Sequence, residues 1–415
     1  MTDDATATAI YHGLPLANLR IVLGVTGSIS AYKAADLASK LRQAGATVEV
    51  IMTRAATQFI TPLTFQSLTG LPVVVDMFSA AEPEAHVEVG RRADALVIAP
   101  ATADCIANLA HGQTPDMVTL TALATTAPVL LAPAMDSQMW ENAATQANVQ
   151  TLRDRGVTFI GPMAGRLASG RIGAGRLAEP QQVIGALRAL LGQRSGDFIG
   201  RHVVVSAGPT QEPLDPVRYI GNRSSGKMGF AIAEAARDRG ARVTLVSGPV
   251  ALETPFGVDR MDVRSVSEML VALQQATIES DAIIMAAAPA DFRAAITADH
   301  KLKKTDGADS MTLELAKNPD ILATLPGGGI RVGFAAETRN LADYAKAKLA
   351  TKRLHFIVAN DVSAAGSGFG TETNQVTILH DDGRVEELPL LSKYAVAHAI
   401  LDRVAARLSP PTMSR

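Results

Sequence analysis

At 415 residues the chain exceeds the usual span of one hydrophobic core, which predicts two domains. With 47% hydrophobic residues, 19% charged residues, 4% aromatics and a net charge of −2, nothing points to a nucleic-acid or acidic-membrane partner. The one cysteine, Cys105, excludes an intramolecular disulfide and a cysteine metal cluster, and is expected to be a small buried apolar residue on a helix.

In chain order, LRIVLGVTGS reads as a buried strand that runs into a glycine turn. The opening MTDDATATAI has two acids and no basic stretch, so no signal peptide is read there. No apolar run approaches the roughly 20 residues of a bilayer span, and a cytoplasmic location is expected. ISAYKAADLASKLRQAG follows the first strand as a helix closed by Gly45, and TVEVIMT is a second strand. VVVD, ADALVIAP and APVLLAP are further buried strands with helical stretches between them, a rhythm that indicates βαβ units and a parallel sheet. After the helix QQVIGALRALLGQR the polar SGDF marks a boundary near 192–198, giving domains 1–195 and 196–415. The rhythm then restarts with strand RHVVVSAGPT, helix KMGFAIAEAARDRG, strand ARVTLVSG, helix SVSEMLVALQQATIES and strand DAIIMAAA. RVGFAAET and HFIVAND are later strands, NQVTILH is an expected edge strand, and SKYAVAHAILDRVAARL closes as a helix. The fold class is α/β: two consecutive Rossmann-like three-layer domains with mainly parallel sheets.

In the first half, GVTGSISAYK brings a strand to a helix N-terminus, where Gly24 and Gly27 permit tight turns and free amides favour a phosphate. The dinucleotide pattern G-x-G-x-x-G is absent, and the second strand ends in Met52-Thr53 without an acid for a ribose hydroxyl, so a mononucleotide fits better than NAD. Followed in order by MTRAATQFITP, HVEVGRRADALVIAPATAD and APVLLAPAM, the segment resembles the flavin-dependent phosphopantothenoylcysteine decarboxylases over about residues 19–180. The resemblance implies FMN at the C-terminal strand ends, lined by Gly27, Ser28, Ile29, Thr53, Thr102 and Ala103, with His86 of the H-x-E motif as base. That H-x-E lacks the P-C-x-x-C partner of a zinc deaminase, and no protein metal ligands are assigned. The family's P-A-M-N reads Pro133-Ala134-Met135-Asp136, and its A-C-G flap reads Ala168-Ser169-Gly170. The Ser169 hydroxyl is a far weaker acid than a thiol, and desolvation or the substrate's charge is expected to keep Asp136 protonated as a replacement acid. The alternative is an active ligase joined to an impaired decarboxylase.

In the second half, AGPTQEPLDPVRYIGNRSSGKMGFAIAEAA resembles the phosphopantothenate–cysteine ligase domain, and matching text continues to about residue 380. Gly221 to Lys227 fits G-x-x-x-x-G-K, but Met228 stands where a P-loop needs Ser or Thr for magnesium, and the loop lies beyond its strand. It reads instead as a phosphate or carboxylate cradle. AAAPADFR, HKLKK, AKNPDIL, VGFAAET and the helix DYAKAKLATK follow at loops after strands, where α/β folds bind ligands. The resemblance places CTP at Met285, Ala286, Ala287, Asp291, Lys301, Pro319, Asp320, Ile321, Leu322, Phe334, Lys348 and Lys352, the last two on one helical face. It gives Lys301 the first transition state, with magnesium, and Asn222 and Arg218 the amide-forming step. Ligation of 4'-phosphopantothenate to cysteine followed by decarboxylation, in a homo-oligomer acting on small molecules, is the resulting expectation; an NAD-linked oxidoreductase is the competing reading.

Overall fold

The structure is a computed structural model that describes residues 14–76, 85–303, 311–326, 328–336, 348–360, 368 and 370–408. The chain divides into two compact units between Leu191 and Gly192. No helix among the described residues is long and apolar enough to cross a membrane.

The first unit holds a five-stranded parallel sheet of β1 (Arg20–Val25), β2 (Thr47–Met52), β3 (Ala95–Ala101), β4 (Val129–Pro133) and β5 (Thr158–Phe159), in the order β2-β1-β3-β4-β5. Strands covered on both faces need apolar residues at every position, which is why Ile21, Val22, Leu23 and Leu96, Val97, Ile98 are all fully buried. Gly45 ends the first helix, Ala31–Gln43, at φ 96°, a left-handed conformation that an L side chain resists. VVVD does not form a strand. Val74 alone bridges Ile51, because Pro72 interrupts the ladder and only the Val74 amide and carbonyl are paired with β2. A hairpin of β6 (Met163–Arg166) and β7 (Ile172–Arg176) carries the glycine-rich flap sequence. Cys105 is buried in helix Ala103–His111 as expected, and burial pushes its thiol up, with Asp116 and Asp104 adding to the effect.

The second unit holds β8 (His202–Ala207), β9 (Gln211–Pro213), β10 (Tyr219–Gly221), β11 (Arg242–Ser247), β12 (Asp259–Asp262), β13 (Ala282–Met285), β14 (Phe292–Ala294), β15 (Leu315–Lys317), β16 (Ile330–Ala336) and β17 (Phe356–Asn360). β18 (Thr373–Asn374), β19 (Val376–His380), β20 (Val385–Glu387) and β21 (Leu391–Ser392) complete it. Its eight-stranded sheet runs β12-β11-β8-β13-β16-β17-β19-β20. The six parallel strands therefore follow the order 3-2-1-4-5-6, the doubly wound arrangement. Alternation along the strands splits the core between two faces. Val203, Val205, Ala282, Ile284, Phe356 and Val358 pack on one side, and Val204, Ile283, Met285, Ile357 and Ala359 on the other. NQVTILH is not the edge: β19 lies between β17 and β20, and the charged, short Val385–Glu387 forms the margin.

Candidate functional site

In the second unit, a cavity of about 410 Å³ opens beside the switch between β8 and β13, within the size range of small-molecule sites. Several segments wall it. Ser224–Met228 comes from the start of helix Lys227–Asp238, 285–291 from the end of β13, and 317–322 from the end of β15. Phe334 of β16 and the pair Lys348 and Lys352 close it. Met285, Ala286, Ala287, Asp291, Pro319, Asp320, Ile321, Leu322, Phe334, Lys348 and Lys352 thus share one cavity. The Lys352 amide donates to the Lys348 carbonyl at 3.0 Å, a helical repeat that sets the two on one face. The preceding part of the predicted helix, 343–347, lies outside the described residues.

Asp320 works at both ends of its carboxylate. One oxygen caps helix Ile321–Thr324 by accepting the Ala323 amide at 3.2 Å, and the other pairs with Lys352 at 2.8 Å. Burial works to raise this carboxyl, but the Lys352 and Ala323 hydrogen bonds hold it below the usual range. Behind the same wall sits Arg331, buried, with its guanidinium on the carbonyls of Leu322, Leu325 (3.2 Å) and Pro326 (3.1 Å). Those bonds fix the loop that carries Pro319 to Leu322.

Asn222, Arg218 and Lys301 do not line the cavity. Asn222 donates to the carbonyls of Ala288 and Pro289, both at 3.0 Å, and so braces the wall from behind. Arg218 is engaged by Asp215 and by the Leu302 carbonyl. Lys301 is exposed. Asp291, Lys348 and Lys352 share the cavity, whereas Asn222 and Lys301 sit on the excursions flanking it.

Lys227, Lys317, Asn318, Asn374 and Lys393 also reach the cavity. Lys227, final residue of the rejected P-loop pattern, donates to the Gly370 carbonyl at 2.8 Å and pairs with Glu372. Buried Lys393 donates to the carbonyls of Gly368 (2.8 Å) and Thr371, and burial, reinforced by Lys227, pushes its ammonium down. Asn318 belongs to the AKNPDIL motif. Lys393 carried no signal, since the first residue of a closing helix reads as surface.

In the first unit, β2, β1 and β3 are neighbours, so Thr53, the Gly27-Ser28-Ile29 turn and Thr102-Ala103 emerge side by side. Thr26 knits two of them, donating to the Pro100 carbonyl at 2.7 Å and accepting the Thr102 amide at 3.1 Å. The Thr53 amide donates to the Val25 carbonyl at 3.1 Å. A Cβ on Gly27 would fall 2.5 Å from that of Ala55, so the turn can close only with glycine. The Ser28 and Ser30 hydroxyls lie 3.0 Å apart, and Thr102 caps helix Ala103–His111. Hydroxyls and helix-start amides at the β1/β3 switch fit a phosphate-bearing flavin, with Asp104 a carboxylate in the first turn of helix Ala103–His111.

Asp136 and Ser169 meet. Ser169 Oγ donates to one Asp136 oxygen at 2.8 Å, the Gln138 amide to the other at 3.1 Å, and Arg171 stands 3.6 Å away. These hydrogen bonds, Ser169's first, lower the Asp136 carboxyl. Half-buried Asp136 is thus held toward its charged form by these donors, against the protonated state expected from desolvation. His86 lies half-buried in the first turn of helix Ala85–Arg92, and among the described residues it shares no hydrogen bond with Asp136 or Ser169. Also among the described residues, no three His, Cys, Asp or Glu side chains group as a metal site.

Residues 11–192 match the family described as Flavoprotein, and residues 198–408 the DNA/pantothenate metabolism flavoprotein C-terminal domain. The chain is thus a two-unit flavoprotein of pantothenate metabolism. Its similarity to whole proteins is more specific. The coenzyme A biosynthesis bifunctional protein CoaBC of Vibrio cholerae is 47% identical over 392 residues, 93% of this chain and 98% of that one. That of Bacillus subtilis is 47% identical over 96% of this chain and 100% of its own, and that of Escherichia coli 45% over 95% and 98%. A crystal structure of the C-terminal domain of a CoaBC protein is 41% identical, covering 51% of this chain and 97% of that one with a TM-score of 0.44. The chain belongs to the CoaBC family of bifunctional coenzyme A biosynthesis proteins.

Proposed function

We propose that the second unit joins 4'-phosphopantothenate to cysteine with CTP and magnesium, and that the first unit decarboxylates the product with FMN to give 4'-phosphopantetheine. The observation that carries the reading is the single cavity shared by 285–287, Asp291, 319–322, Phe334, Lys348 and Lys352. The carboxylate of phosphopantothenate attacks the α-phosphorus of CTP, the bond to the β-phosphate oxygen breaks, and pyrophosphate leaves with the electron pair. The cysteine amine then attacks the acyl carbon of the cytidylate, CMP departs, and the ammonium formed loses a proton. Crowding these anions requires cations. Lys348 and Lys352 meet the triphosphate, Lys301 stabilises the first transition state, and Asn222 with Arg218 serves amide formation. Magnesium neutralises phosphate charge, with Asp291 and Asp320 the carboxylates on the wall.

In the first unit Gly27, Ser28, Ile29, Thr53, Thr102 and Ala103 hold FMN, and His86 acts as base. The flavin supplies the temporary electron sink that carbon dioxide loss requires. Ionised Asp136 and Ser169 join the flap hairpin to helix Ser137–Glu141 at the substrate side. The enzyme is read as a cytoplasmic homo-oligomer.

Purified protein given phosphopantothenate, cysteine, CTP and magnesium should release pyrophosphate, then phosphopantothenoylcysteine and carbon dioxide. No consumption of CTP under these conditions would remove the ligase assignment.

A further inference from the structure

We infer that Asp215 is a positioning residue of the ligase unit, holding the backbone that carries Lys301 through its joint grip on Arg218 and Leu302. The inference rests on the reading of Lys301 given above. Asp215 is enclosed, its side chain 0% exposed. One carboxylate oxygen accepts the amides of Val217 and Arg218, both at 2.8 Å. The other accepts Arg218 Nε at 2.9 Å, Arg218 Nη2 at 2.7 Å and the Leu302 amide at 3.1 Å. Arg218 Nη2 in turn donates to the Leu302 carbonyl at 2.8 Å. Both backbone groups of Leu302 are therefore held by one ion pair 84 to 87 positions earlier in the chain.

A buried carboxylate needs such partners, and a turn that merely closes on itself would be served by the two local amides. The Leu302 amide bond to Asp215, with the Arg218 bond to the Leu302 carbonyl, instead reaches the segment 295–303, which belongs to no helix or strand. The same turn laces it twice more: the Ala298 amide donates to the Leu214 carbonyl at 3.0 Å and Thr297 Oγ1 to the Pro213 carbonyl at 3.4 Å. Lys301 precedes the clamped residue directly. Burial works to raise the Asp215 carboxyl, yet the hydrogen bonds from Arg218, Val217 and Leu302 hold it far below the usual range, so the clamp is ionic at neutral pH.

The test compares Asp215→Asn, Lys301→Ala and the double variant in the full chain, by pyrophosphate release and by CTP affinity. Asp215→Asn should slow pyrophosphate release by about ten- to a hundredfold while the CTP dissociation constant stays within about twofold. The double variant should be no slower than Lys301→Ala alone, a non-additivity that general destabilisation does not produce. Should Asp215→Asn fail to fold by circular dichroism, Leu302→Pro removes one donor and leaves the Asp215–Arg218 pair, with the same kinetic outcome expected. Losses that multiply, or a clamp variant with unchanged pyrophosphate release while Lys301→Ala is slow, overturn the clamp and leave Lys301 in its role. Full activity of Lys301→Ala overturns the reading of Lys301 itself.

Discussion

Gly229→Ala tests whether the cavity depends on the close seating of helix Lys227–Asp238 on β8. A Cβ at Gly229 would stand 2.5 Å from the Ala207 Cβ and 2.8 Å from the Ser206 carbonyl oxygen, where ordinary contact begins at 3.4 Å. Neither neighbour can rotate away, since one is backbone and the other a methyl on a central strand, so the helix start must retreat by about 0.9 Å. Overpacking of this kind costs about 1–3 kcal/mol. The better helix propensity of alanine offsets about 1 kcal/mol of it, leaving a modest net loss in the urea midpoint of the ligase unit. Catalysis suffers more, because Ser224–Met228 form one wall of the cavity and move with the helix. A displacement near 1 Å is worth about a hundredfold in rate. The assay is steady-state pyrophosphate release with CTP, alongside carbon dioxide release from supplied phosphopantothenoylcysteine, which should not change. Wild-type kcat/KM for CTP in a folded Gly229→Ala protein would refute the argument that this seating sets the site.

Asp136→Asn should keep the helix cap, which Asn supplies as well as Asp, and should lower KM for phosphopantothenoylcysteine several-fold by removing an anion beside a carboxylate substrate; an unchanged or raised KM counts against an ionised Asp136. Cys105 should resist a disulfide thiol reagent in the native chain and react only after unfolding, because burial holds the thiol protonated. For Asp215 the folded-state carboxyl is depressed, so its stabilisation is complete above the unfolded value of about 4 and is lost as pH falls below it. The stability gap between wild type and Asp215→Asn, from urea midpoints across acidic pH, should therefore narrow on acidification; a gap that widens would contradict the depressed carboxyl.

Much of the fold is legible because the strands are buried on both faces. Val203 to Val205 and Ile283 to Met285 are apolar without a break, as strands covered on both faces require. The same rule misleads at Val73–Val75, where β-branched residues promise a strand but Pro72 leaves a single bridge. It fails again at Val385–Glu387, too short and too charged to announce itself as the margin that displaces NQVTILH inward. The cavity walls are legible only in part. Segment 285–291 leaves parallel strand β13 and Phe334 lies on its neighbour β16, where ligand sites of α/β folds gather. By contrast, 317–322 follows β15 of the separate antiparallel pair β14–β15, and no such rule brings it there.

What local sequence does not carry is the charge state and the partner of a single side chain. Asp136 and Asp215 show two degrees of this. The Asp-Pro-Val-Arg spacing around Asp215 announces a turn in which the carboxylate accepts its own downstream amides, and that half is present at 2.8 Å. Its grip on Leu302 crosses 87 positions and obeys no period. For Asp136 the decisive donor, Ser169, lies 33 residues away on a hairpin tip. Desolvation would push that carboxyl up, whereas the Ser169 hydroxyl and the Gln138 amide hold it down, and the Ser169 contribution depends on how the hairpin folds back. The charge of Asp136 thus depends on a donor brought by tertiary structure, and substitutions of Ser169 should move the chemistry proposed for Asp136 as well as substitutions of Asp136 itself.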